Sequence, residues 1–135
     1  MTNAPPVPRA VRTVFAEHRA LRALLSQVES AFTRGTPREA SGPDVVAARL
    51  DTLRGPLGAH FDEEERARLF EEIEALAPEQ AGTCARLRSE HGTLLRRLDD
   101  LRCASPEARR AAAWDDGVRA LLRDLHGHEE RESDL

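Results

Sequence analysis

Four stretches of the chain place an apolar residue at alternating steps of four and three, the rhythm by which one face of an α-helix stays turned towards its neighbours. In the first, about Arg9 to Phe32, the stripe runs through Val14, His18, Leu21, Leu25, Val28 and Phe32. In the second, about Asp44 to Leu76, it runs through Val46, Leu50, Leu53, Leu57, His60, Glu64 and Ala67. The third, from Pro78 to about Arg102, carries Cys84, Leu87, His91, Leu94, Leu98 and Leu101, and the fourth carries Trp114, Val118, Leu121, Leu125, His128, Glu132 and Leu135. This pattern predicts an all-α fold, and the short connections predict an antiparallel up-down-up-down four-helix bundle.

The breakers agree with that division. Thr33 to Pro43 gathers Gly35, Pro37, Ser41, Gly42 and Pro43 as a first connection, and Asp44 can cap the helix that follows. Pro78 suits a first helical turn, and Ser105-Pro106-Glu107 reads as a cap and first turn. Counting from the helix ends brings His18 and His60 level. His91 and His128 do not match as well, so the fourth helix either overshoots or starts nearer Ala112. Gly55-Pro56 predicts a kink one turn before His60, because the proline nitrogen cannot donate and its ring crowds the carbonyl of Thr52. The bend either aims His60 or divides the second helix into two shorter ones.

At 135 residues the chain is one domain's worth. Met1 to Pro8 holds three prolines and predicts a flexible arm, leaving 9–135 for the bundle domain. A third of the residues are charged, yet the net charge is only -4 and the arginines are interleaved with acids, which argues against nucleic acid as a partner. No apolar run approaches the roughly 20 residues of a membrane span, and the N-terminus lacks a secretory core, so the expectation is a cytoplasmic protein without a membrane partner. Cys84 and Cys103 fall in one predicted helix about 28 Å apart by helical rise, too far to bridge, and read as small buried or half-buried hydrophobes.

The stripes carry one anomaly. Four of the five histidines lie on them, although stripe positions are only about two in seven of a heptad. His60 and Glu64, and again His128 and Glu132, stand four apart and so stack on one helix face. Buried carboxylates are costly unless paired or bound to a metal, and the stripes offer no Lys or Arg. His18, His60, Glu64, His91, His128 and Glu132 therefore predict a nitrogen and oxygen cage for two metal ions, of a kind that suits iron, manganese or zinc. The spacing also permits His126 with Glu130, but Leu121 and Leu125 put His128 on the stripe.

On these residues the chain resembles the hemerythrin-like, or HHE cation-binding, domain, a four-helix bundle around a non-haem di-iron centre. The resemblance covers His18 to Glu132, and the doubled His-xxx-Glu carries it. It implies two iron ions, one on His18 and His60, the other on His91 and His128, with Glu64 and Glu132 bridging. Ferritin-like bundles instead use Glu-xx-His, which does not occur in this sequence. The chain departs from the oxygen-carrying hemerythrins at Leu95, where they have a further histidine, and at Glu132, where they have an aspartate five residues after theirs. One iron would then be a protein ligand short, leaving a position for water, dioxygen, nitric oxide or peroxide. The pattern is closer to the di-iron domain of iron-sulfur cluster repair proteins, without their cysteine-bearing N-terminal segment, and the lack of Tyr speaks against tyrosyl-radical chemistry.

Three functions are compatible with this reading. The chain binds or senses dioxygen, nitric oxide or peroxide, or handles iron. Alternatively it is a di-iron enzyme acting on peroxide or another oxidant, or a metal-stabilised helical interaction module. A monomer or a homodimer is expected, the latter because Glu132 lies so near the C-terminus that a partner chain would steady it.

Overall fold

In the computed structural model of the protein, the residues described are 9–33, 42–66 and 68–135, with side chains from His18 to Ala31 in the first stretch and throughout the other two. The arm expected at 1–8, most of the breaker cluster at 34–41 and the stripe position Ala67 lie outside them, as do the side chains of Val14 and Phe32. The fold is all-α. Helix α1 is Arg9–Thr33, α2 Gly42–Arg66, α3 Leu69–Leu76, α4 Ala81–Arg102, α5 Pro106–Arg109 and α6 Ala112–Ser133, with a single 3-10 turn at Pro78–Gln80 ahead of α4. The long helices touch in a ring, α1 on α2, α2 on α4, α4 on α6 and α6 back on α1. No described helix is long and apolar enough to cross a membrane.

Three boundaries differ from the sequence expectation. Helix α2 begins at Gly42, so Asp44 sits in its first turn, where a carboxylate suits the positive helix end, instead of at the cap. The helix runs through Pro56 to Arg66, and the break comes later, at Arg68, whose φ of 58° is left-handed. The reason lies in the stripe itself. Continuing past Ala67 at the same steps would turn Glu71 and Glu74 inward. The break at Arg68 re-aims the chain, so that Leu69, Phe70 and Ile73 are buried while Glu71 is exposed. At the other end, Ser105 does cap a helix, its hydroxyl accepting from the Ala108 N–H at 3.1 Å. That helix is the four-residue α5, and α6 restarts at Ala112 after an extended Ala111.

Two apolar clusters result. The larger joins Leu21, Leu25, Leu50, Leu57, Leu94, Leu121 and Leu125 with their neighbours, and the smaller joins Leu69, Phe70, Ile73, Cys84 and Leu87, with Leu135 against it. Along α4 the order is Leu94, His91, Leu87; along α6 it is Leu125, His128, Glu132, with Leu135 just past its end. The polar layer thus lies between the two clusters. Helix α3 and the chain end close it on one side, while Trp114 ties α6 to α4 far away by donating to the Leu101 carbonyl at 3.1 Å. Both cysteines are free: Cys84 is buried as expected, but Cys103 is exposed because it caps the end of α4.

Candidate metal centre

All six stripe residues are buried and meet in the polar layer. His18 comes from α1, His60 and Glu64 from α2, His91 from α4, and His128 and Glu132 from α6; none exceeds 6% exposure, and Glu64 has none. His18 Nε2 lies 2.8 Å from Glu132 Oε2 and 3.9 Å from Glu64 Oε1. His91 Nε2 lies 3.1 Å from Glu64 Oε2 and 3.4 Å from Glu132 Oε1. His60 Nε2 meets Glu64 Oε1, and His128 Nε2 meets Glu132 Oε1 at 2.6 Å, each pair one turn apart on its own helix. The rings of His18 and His60 are 4.9 Å apart and those of His91 and His128 are 5.0 Å apart.

These atoms form two groups, His18, His60, Glu64 and Glu132 on one side and Glu64, His91, His128 and Glu132 on the other. Within each, one donor atom from every residue lies within 4.8 Å of the rest. Both carboxylates belong to both groups. Such a donor set fits two cations, and the orphaned atoms support the fit. Both Glu64 oxygens and His128 Nε2 are fully buried and close to their neighbours, yet none is aligned for a hydrogen bond. Lone pairs that pass one another in this way converge on shared points, which suits a bound cation better than a hydrogen-bond network.

The far nitrogens of His91 and His128 are held by other acids. His91 Nδ1 donates to Glu65 Oε1 at 3.2 Å, and His128 Nδ1 to Glu90 Oε2 at 2.6 Å; Arg131 grips both Glu90 oxygens, at 2.9 and 2.7 Å. An ionised carboxylate only accepts, so these contacts put a proton on Nδ1 and direct Nε2 inward. His126 faces away, half-buried and paired with Glu29, and Glu130 is exposed, so the alternative pair lies outside the layer. Leu95 packs against the larger apolar cluster.

The periodicity did not single out Glu65, Glu90, Phe61 or Glu129. Glu129 is the most unusual of them: it is 4% exposed, neither oxygen has a hydrogen bond, and burial pushes its carboxyl above the ordinary 4.5. A signal existed in the sequence, since Glu129 adjoins His128 and widens the polar stripe of α6.

Without metal the layer holds protons. Burial would lower the pKa of His18 and His91, but their hydrogen bonds to Glu132 and the close Glu64 carboxylate outweigh it and raise both from 6.5 to about 9. Burial opposes ionisation of Glu64 and Glu132, and the surrounding imidazoles reverse that, holding both carboxyls below the ordinary 4.5. The raised imidazoles add stability that is complete below pH 6.5 and is lost as pH climbs through 9. The lowered carboxylates add stability that is present above pH 4.5 and is lost on acidification. Metal-free protein is expected to melt highest at about pH 5–6 and progressively lower towards pH 9. A cation must displace those protons, so metal affinity should rise over the same interval. Melting curves in chelator across that range check the first part, and a flat profile above pH 6.5 would contradict it.

The model of the hemerythrin HHE cation-binding domain matches residues 9–135. No curated protein and no solved structure matched the chain. The chain belongs to the hemerythrin HHE cation-binding family, a family that binds metal cations, typically iron. Its His and Glu groups could hold such an ion.

Proposed function

We propose that the chain holds two iron ions between α1, α2, α4 and α6 and uses them to bind or sense dioxygen, nitric oxide or peroxide, or to handle iron. The observation that carries this reading is the sharing of Glu64 and Glu132 between two otherwise separate histidine pairs. In it His18 and His60 bind one ion, His91 and His128 the other, and the two carboxylates bridge. Iron supplies redox chemistry there, and manganese or zinc could occupy the same donors. The four long helices run up, down, up and down over 9–135, with α3 and α5 as local additions.

Two imidazole nitrogens and one oxygen from each carboxylate leave coordination positions for a small ligand. A cleft of about 330 Å³ between α1 and α2 reaches His60; Ala20, Leu21, Leu24, Pro56 and Ala59 line it together with the charged Glu63 and Arg66, and it offers a small ligand a way towards that histidine. The protein acts in the cytoplasm, as a monomer or homodimer, without nucleic acid or membrane as partner. Iron-loaded protein is expected to change its visible absorption when oxygen or nitric oxide is admitted after anaerobic reduction. An identical spectrum before and after both gases would rule out the gas-binding reading.

A further inference from the structure

The two halves of the polar layer differ at one matched position. After the histidine of each His-xxx-Glu pair comes Phe61 in α2 and Glu129 in α6. Phe61 reaches the His91 and His128 half: its ring stacks on His91 at 4.1 Å with planes 9° apart, and meets His128 edge-on at 5.4 Å. Glu129 faces the opposite half. It lies one turn before Glu132 on α6, and Arg22 lies one turn after His18 on α1. Glu132 Oε2 touches His18 Nε2 at 2.8 Å, and Arg22 Nε stands 3.9 Å from Glu129 Oε2. Glu129 is therefore stacked beside the contact between Glu132 and His18, where its charge acts on His18 and also on His60.

That charge is compensated only in part on the protein side, by Arg22 and by the imidazoles of His18, His126 and His60. The Arg22 side chain is 57% exposed and out of hydrogen-bond reach, and neither Glu129 oxygen has a hydrogen-bond partner. A buried carboxylate without hydrogen bonds is costly to a core unless a cation is bound beside it. We propose that Glu129 is a third, unshared carboxylate serving the cation held by His18 and His60 alone. The two cation positions are then chemically unequal, one flanked by an acid and the other walled by the Phe61 ring.

This rests on the two-cation reading, and a titration separates the two claims. Ferrous iron is added anaerobically to metal-free wild type, Glu129→Gln, Glu129→Leu, His18→Ala and His128→Ala, with calorimetric detection. The expected result is two binding events in wild type, one of which weakens by about tenfold or more in both Glu129 variants while the other is unchanged. The weakened event should be the one that His18→Ala removes and His128→Ala keeps. Metal-free Glu129→Leu should also melt above metal-free wild type, because a buried carboxylate without hydrogen bonds has gone. The glutamine variant keeps the shape of the side chain if leucine disturbs folding. Two unchanged events in Glu129→Gln, or loss of the event that depends on His128, would overturn the proposal and leave the two-cation reading standing. A wild type that takes up no ferrous iron would overturn both.

Discussion

Glu64→Ala should empty both cation positions at once, whereas His18→Ala or His128→Ala should empty chiefly one. Glu64 belongs to both donor groups, and His18 and His128 each belong to a single one. It is also fully buried, so water cannot readily replace the lost oxygens from outside. Loss of an outer-shell partner of a metal ligand already costs about 10–100-fold in affinity, and removal of a bridging donor should exceed that at both positions. Metal analysis after dialysis is expected to find almost none in Glu64→Ala and close to half the wild-type amount in the histidine variants. Glu64→Gln guards against a cavity effect, because it keeps the volume and loses the charge. Two retained ions in Glu64→Gln would show that this carboxylate does not bridge.

Removing metal should lower the melting temperature by on the order of 10–20 °C. A ligand that binds only the folded state at about a thousand times its dissociation constant adds about 4 kcal/mol. For a chain of this length each kcal/mol corresponds to a few degrees, which gives that range. The polar layer makes so large an effect reasonable, because six ionisable groups are packed between two apolar clusters and a cation bound there would draw its donors from four helices. Scanning calorimetry with and without chelator checks it. An unchanged melting temperature would favour an interaction module whose bundle stands without metal.

Much of this centre was legible in the sequence because two independent periodicities coincide. Leucines at steps of four and three fix which face of each helix turns inward, and the His and Glu residues then occupy inward positions. What the stripe could not show is where the chain leaves it. The break at Arg68 has no glycine or proline to announce it, and it follows from where Glu71 and Glu74 would otherwise point. Gly55-Pro56, the conspicuous breaker, lies inside a continuous α2, since one missing donor is tolerated where packing holds the helix on both sides. Asp44 lost its expected cap because α2 takes in Gly42 and Pro43 first.

The start of the last helix was half legible. Ser105-Pro106 has the chemistry of a cap and does cap α5, but α5 is a single turn, and α6 takes over at Ala112, as the level of His128 requires. Glu129 was missed for a different reason. A one-dimensional stripe records which residues face inward but not how wide the polar layer is, and Glu129 enters it from the side of α1.

Metal counted per chain in protein purified after iron-replete expression is the most direct test of a two-cation layer. The account predicts close to two iron atoms for each chain. Fewer than one atom of any transition metal would contradict it.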